Sequence, residues 1–436
     1  MKTFTIKTLG CKVNQFESEV MAGLLSAAGW VQRPDGPVDL YIVNTCTVTG
    51  KGAGQSRQYL RHCRRENPQA VIIAAGCYAT VGADEIRAMG CVDAIVGHAA
   101  KYKIPDMAAR LLHGGVMPSS VDEGDAREMF ARFSFQPADR SRARPVLKIQ
   151  DGCNAFCTYC IVPYARGRSV SMAPDQVLGA VREIAAAGYP EVVLTGIHLG
   201  AYGLDLSPPQ SLYQLLVLID QNRAVGRIRL SSLEPCELTD EIIGLAANSR
   251  RICRHFHLPL QSGSDAVLAR MTRPYTAAFF RERVEKIINA MPAAAIGIDV
   301  LVGFPGEGDE EFAQTVSLLN DLPVAYLHIF PFSPRPGTPA ADFADPVHPA
   351  VISERCRLLR QMGAAFRECF SRRQQGRTAT VRIEDKRDRI SGLLKGVTDN
   401  YLTVLVDADD DLKNRDVCVS LSEPLGGLRV RGELLG

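Results

Sequence analysis

The stretch VLKIQDGCNAFCTYC, residues 146–160, runs from a short apolar segment straight into Cys153, Cys157 and Cys160. Three thiolates within eight residues suit one inorganic cluster, yet they supply one ligand too few for four irons. The fourth iron would stay open to an outside ligand. Zinc wants four protein ligands, or three and a water, and no nearby histidine completes such a set. The plain alternative is three incidental cysteines in a loop. Tyr159, just before the third cysteine, either lies along a bound nucleoside or packs the loop.

Downstream, apolar runs recur at 191–195, 227–231, 254–260, 296–302 and 325–330, each followed by a helical pattern, the last near 348–372. Six such units suit an incomplete barrel or an open α/β sheet. Several candidates sit where these strands end, the face on which barrel loops build sites. Gly196 lies in LTGIHLG, where backbone can approach a cofactor; Ser232 and Glu234 follow the third strand and Gln261 ends the fourth. A tight turn, a cap or a core hydrogen bond explains each about as well, and GFPGEG (303–308) reads equally as a turn.

Upstream, residues 4–9, 39–43, 70–75 and 92–96 are short apolar runs with helical patterns near 15–28, 54–66 and 83–89, which predicts a parallel sheet. Cys11, Cys46 and Cys77 each follow one of these strands. Ligands bind outside the carboxyl ends of such strands, so three cysteines about thirty residues apart are able to converge. Small buried cysteines at strand ends are also common. Residues 114–144 read as a connection with a basic second half (Arg127, Arg132, Arg140, Arg142, Arg144). After residue 372 five short alternating runs predict a small antiparallel barrel.

The chain has 436 residues, 46% hydrophobic and 22% charged, which excludes a disordered or low-complexity protein. Its net charge of +2 does not announce a polyanion partner, so any such contact must come from local patches. The helix QSRQYLRHCRREN spaces Arg57, Arg61, Arg64 and Arg65 along one side, either a solvated face or an RNA contact. Residues 373–436 carry 11 basic and 11 acidic side chains. No apolar stretch reaches the ~20 residues of a membrane span, so a soluble, cytoplasmic protein is expected. Thirteen cysteines, an odd number in a long chain, favour reduced thiols or metal ligands over disulfides. Cys63, Cys91, Cys236, Cys253, Cys356, Cys369 and Cys418 show no partner spacing and are expected to be buried. His255 and His257 share one strand face without a third ligand in sequence, and read as core or cavity lining. No GxGxxG follows the first strand, which argues against a dinucleotide oxidoreductase.

TLGCKVNQFESE, NTCTVT, AGCYAT and DGCNAFCTYCIVPYARGRS, with SSLEP, HLPLQSGSD, DVLVGFPGEG and HIFPFSPRPGTPAA, resemble the methylthiotransferase family of radical S-adenosylmethionine enzymes across essentially the whole chain. KVNQFES and SSLEP resemble the branch acting on threonylcarbamoyladenosine in tRNA. The resemblance implies an α/β architecture: an N-terminal doubly wound domain (1–113), the connection (114–144), a central incomplete (βα)6 TIM-like barrel (145–372) and a C-terminal TRAM-like barrel (373–436) that grips tRNA. It also implies two 4Fe-4S clusters, one on Cys153, Cys157 and Cys160 that binds S-adenosylmethionine and one on Cys11, Cys46 and Cys77; Tyr159, Gly196, Ser232, Glu234 and Gln261 are, by their positions, the candidate cofactor contacts. The implied reaction replaces the hydrogen on adenine C2 with a methylthio group, a C–H that no side-chain base removes. An electron donor and a sulfur source are further partners that the family requires. Competing expectations are the same chemistry on isopentenyladenosine or on a ribosomal-protein side chain, and a non-catalytic iron–sulfur scaffold or electron carrier.

Overall fold

A computed structural model describes residues 1–34, 36–115, 124–132 and 144–435. The N-terminal strands are β1 (Thr3–Thr8), β2 (Val31–Gln32), β3 (Leu40–Thr45), β4 (Val71–Gly76) and β5 (Ala94–Val96). All pair in parallel, in the order β2-β1-β3-β4-β5. The two-residue β2 has no counterpart in the apolar pattern because both its side chains are exposed. In β3 and β4 every residue is buried, as expected for strands covered on both faces. The helices Lys12–Ala27 and Ile104–Leu112 pack one face through Met21, Leu25, Ile104 and Met107. The helix Gly50–Glu66 packs the other through Ala53 and Leu60. The sheet is therefore doubly wound, and the strand order reverses between β1 and β3, where such folds open a crevice.

The central region carries β6 (Val146–Lys148), β7 (Gln150–Asp151), β8 (Val170–Ser171), β9 (Glu191–Thr195), β10 (Arg227–Leu230), β11 (His255–Gln261), β12 (Ala295–Val302) and β13 (Tyr326–Pro331). The first apolar run is split: β7 leaves the main sheet and pairs antiparallel with β8. Two parallel sheets, β6-β9-β10 and β11-β12-β13, are joined by an Ile228–Ile252 bridge and by the Leu233 amide donating to the His257 carbonyl at 3.0 Å. That makes six parallel strands in chain order, open between β13 and β6. Alternate residues such as Val192, Leu194, Ile228, Phe256, Leu258, Ile296 and Ile298 face the helices and form the main core. The other set, including Lys148, Gln150, Glu191, Arg229, His257, Asp299 and His328, gives the barrel a polar interior.

The C-terminal strands β14 (Thr378–Ile383), β15 (Leu394–Thr398), β16 (Thr403–Val406), β17 (Asp416–Pro424) and β18 (Arg429–Leu434) close into a barrel. It is mixed, a correction to the antiparallel expectation: β16 and β18 run parallel. Five strands in a closed ring cannot all alternate in direction, so at least one neighbouring pair must be parallel. This barrel seals the amino ends of the central strands. Arg227 donates to the carbonyls of Val397 and Thr380, and Arg229 to those of Thr398 and Asp399, at 2.8–3.1 Å. The Tyr401 ring lies 4.4 Å from the Arg229 guanidinium and 4.5 Å from the His255 ring.

Candidate functional site

Cys11, Cys46 and Cys77 stand at the carboxyl ends of β1, β3 and β4, side by side in the sheet. Gly10 has φ +92°, and a Cβ there would meet Cys46 Sγ at 2.8 Å, so only glycine lets the two loops touch. Asn14 ties the loops together: its Nδ2 donates to the carbonyls of Leu9 (2.7 Å) and Thr45 (3.1 Å). Burial pushes the Cys46 thiol up to about 11, and the neighbouring Cys77 and Cys11 add to the rise. Burial also raises Cys77, against the pull of Arg166 and Lys101.

The second trio occupies the loop after β7. Gly152 has φ +68° and no room for a Cβ, which would sit 2.0 Å from the Arg168 carbonyl oxygen. The Cys160 amide donates to the Cys157 carbonyl at 2.9 Å. Burial, with Cys157 and Cys153 beside it, pushes the Cys160 thiol up to about 12. Arg273 Nη1 donates to Cys157 Sγ at 3.2 Å and pairs with Glu234, while its Nε donates to the Tyr275 hydroxyl at 3.0 Å. His198 Nδ1 lies 3.4 Å from Cys153 Sγ and its Nε2 2.6 Å from Glu237. Burial opposes the imidazolium, but Cys153 and Glu237 prevail and lift His198 to about 10. Each trio is thus a set of neighbouring thiols beside a guanidinium, a donor set and a charge environment that fit an iron–sulfur cluster.

A buried network fastens the first trio to the second. Glu17 and Asp151, both fully buried, share Arg166 (Nη1 at 2.9 Å to each) and Lys148 (2.9 and 2.6 Å). Lys101 pairs with Glu17, and His98 Nε2 lies 2.9 Å from Asp151. Arg166 Nη2 donates to Asn14 Oδ1 at 2.5 Å, so a side chain six residues beyond Cys160 steadies the knot between the Cys11 and Cys46 loops. Three cations against two carboxylates, with burial holding His98 down toward neutrality, leave one positive charge beside the Cys77 thiol. Sequence spacing could not reveal this network, because Glu17 and Arg166 are 149 residues apart. Arg273 was equally hidden, though its buried contact with Cys157 makes it part of the site.

Of the other expected residues, Tyr159 packs edge-on against Phe304 (6.5 Å). Gly196 has no room for a side chain beside Gln150, whose Oε1 accepts from the His198 amide at 2.8 Å. Glu234 is held by Arg273, Ser232 is exposed, and Gln261 sits at φ +65° where β11 and β12 lose register. GFPGEG is a turn locked to the long helix Pro349–Arg373, with Arg355 2.7 Å from Glu307. Cys236, Cys369 and Cys418 are exposed, against the expectation of burial, because they lie on a surface turn, a helix's outer face and a strand's outer face. Two of the four helix arginines are spent within the domain: Arg57 on Tyr78 (2.8 Å) and Arg64 on Asp93 (2.6 Å). In the connection Arg127 pairs with Asp205, Arg132 with Glu128 and Arg144 with Glu384; Arg140 and Arg142 lie outside the described residues.

Two further groups bring donor atoms within 4.8 Å of one another: Glu17, His98 and Asp151, and His257, Asp299 and His328. Lysine and arginine saturate the first. The second lies inside the barrel and supplies the companions that His257 lacked in sequence. No helix among the described residues is long and apolar enough to cross a membrane.

An open parallel barrel with a three-cysteine loop after its first strand defines a radical S-adenosylmethionine protein, here with a doubly wound domain before it. The radical SAM superfamily matches residues 147–319, and the uncharacterized protein family UPF0004 matches residues 3–97. The chain is 38% identical to threonylcarbamoyladenosine tRNA methylthiotransferase MtaB of Bacillus subtilis, over 97% of this chain and 94% of that one. It is 33% identical to a tRNA-2-methylthio-N(6)-dimethylallyladenosine synthase of Carboxydothermus hydrogenoformans, over 97% of each. The radical methyltransferase TsrM of Kitasatospora setae shares the fold (TM-score 0.57, 16% identity, 78% of this chain and 75% of that one). The chain belongs to the tRNA methylthiotransferase family.

Proposed function

We propose that this chain places a methylthio group on C2 of N6-threonylcarbamoyladenosine at position 37, beside the anticodon of tRNA. Support comes from relatives of that name at 34–38% identity over most of the chain, against 30–34% for those named for dimethylallyladenosine. The observation that carries the reading is the pair of cysteine trios fastened together by Arg166. Cys153, Cys157 and Cys160 would hold a 4Fe-4S cluster whose open iron takes S-adenosylmethionine, and Cys11, Cys46 and Cys77 a second cluster. When bound, these groups supply one-electron cleavage of S-adenosylmethionine and a landing place for sulfur.

The chain's own residues do the rest. Arg273 balances thiolate charge at Cys157 and holds Glu234 at the cofactor side of the barrel. His198 does the same at Cys153, braced by Glu237. Gln150 fixes the backbone between Gly152 and His198, where a side chain at Gly196 would intrude. The C-terminal barrel closes the far end of the central strands, so substrate must enter from the cysteine side or through the open seam beside β13. Mass spectrometry of tRNA nucleosides from cells with and without this protein is the test. Loss of 2-methylthio-N6-threonylcarbamoyladenosine is expected; unchanged levels, or loss of the methylthio-isopentenyl nucleoside instead, would contradict the reading.

A further inference from the structure

At β13, the edge strand beside the open seam, a cavity of about 460 Å³ lies against the long helix; Leu327, His328, Phe330, Arg360 and Arg367 are among the residues that line it. Gly363 faces Leu327 at ordinary packing distance. Along this helix Arg355, Arg357 and Arg372 pair with carboxylates. Arg360 and Arg367, two turns apart on the cavity side, have no such partner among the described residues. Phe330 is 42% exposed beside His328, an aromatic face left to solvent.

His328 belongs both to this cavity and to the His257–Asp299–His328 group. His257 Nε2 bonds Asp299 Oδ1 at 2.6 Å, and His328 Nδ1 lies 3.3 Å from the same oxygen. The arrangement is braced from behind, since the Tyr326 hydroxyl lies 2.7 Å from His255 Nε2 and 3.4 Å from His257 Nδ1. Among the described residues Asp299 Oδ2 and His328 Nε2 have no protein partner, and the His328 side chain is half exposed. A few residues on, β13 leads to Ser333 and Arg335, which bond Gly50 (3.1 Å) and Thr47 (2.8 Å) in the loop that follows Cys46. The seam therefore opens next to the first cysteine trio.

We propose that this seam seats the target nucleotide, with its N6 substituent against His328 and Asp299, its base near Phe330 and flanking phosphates on Arg360 and Arg367. The inference rests on the proposed function and adds the residues that choose the substrate. A threonylcarbamoyl group carries a carboxylate, a hydroxyl and urea N–H donors. With its Nδ1–H turned to Asp299, His328 Nε2 accepts from the hydroxyl or a urea N–H, and Asp299 Oδ2 accepts from the other. A dimethylallyl group offers neither, and would leave both side chains desolvated and unpaired, the kind of mismatch that discriminates strongly. Unpaired arginines beside an exposed aromatic ring suit an extruded nucleotide on a single-stranded loop.

The test uses the full chain with its clusters reconstituted and anticodon stem–loop RNAs bearing threonylcarbamoyladenosine, isopentenyladenosine or plain adenosine, with binding read by fluorescence anisotropy across salt. Wild type should prefer the first RNA by about tenfold or more. His328→Phe should remove that preference, whereas His328→Gln, which keeps a hydrogen-bonding acceptor, should retain most of it and so exclude a folding defect. Arg360→Ala/Arg367→Ala should weaken all three RNAs alike and flatten the log–log salt slope by about 1.5 for two phosphates. A preference untouched by His328→Phe, or a slope untouched by the double variant, would overturn the seam while leaving the enzyme's function standing. A wild type that binds none of the RNAs, or prefers isopentenyladenosine, would sink both.

Discussion

Cys153, Cys157 and Cys160 share one eight-residue loop, whereas Cys11, Cys46 and Cys77 arrive from three strand exits spread over 67 residues. The first trio needs only a local turn, set by Gly152. The second exists only when β1, β3 and β4 lie side by side in the right register. Chain-local geometry builds one site and sheet topology the other, so the second should be the more fragile and the more dependent on its supports.

The largest expected effect separates the two trios by role. Cys153→Ala should abolish formation of 5′-deoxyadenosine, while Cys77→Ala should leave it measurable and eliminate methylthiolation, both read by mass spectrometry. Full thiolation by the Cys77→Ala variant would break the contrast. The supports come next. Arg166→Ala leaves Glu17 and Asp151 buried with less charge compensation, and should cost about 3–5 kcal/mol in chemical denaturation. Arg281→Ala, on a solvent-exposed pair with Asp321, should cost under about 1 kcal/mol and serves as the comparison.

Acid should act on the same support. Burial raises Glu17 and Asp151, yet the cations around them win, and both carboxyls are held well below the ordinary range. A depressed folded value means the contribution is complete above the unfolded carboxylate range, about 4, and fades as pH falls through and below it. Urea midpoints should therefore drop on acidification, and less steeply in Arg166→Ala; parallel curves would contradict this. The smallest effect belongs to the far end of the barrel. Tyr401→Ala removes a ring from buried Arg229 and should cost about 1–2 kcal/mol without changing the ratio of thiolated product to 5′-deoxyadenosine. A changed ratio would mean that end is coupled to the site.

Sequence reading went furthest where structure is local. The strand-and-helix alternation, the 153–160 loop and the strand-end position of Cys11, Cys46 and Cys77 were all legible. What stayed hidden depends on long-range placement. Arg273 reaches Cys157 across more than a hundred residues, and Arg166 meets Glu17 only after the N-terminal sheet docks on the barrel. His257 looked alone because Asp299 and His328 sit on neighbouring strands. The parallel pair in the C-terminal barrel follows from closing five strands, which no single run reveals. Exposed Cys236, Cys369 and Cys418 show that cysteine content alone does not report burial.

The most direct measurement is iron and EPR quantification after anaerobic reconstitution of the wild type and of two triple variants, Cys11/Cys46/Cys77→Ala and Cys153/Cys157/Cys160→Ala. About eight irons are expected per wild-type chain and about four in each variant, carried by distinguishable signals. About four irons in the wild type, unchanged in the first variant, would contradict it.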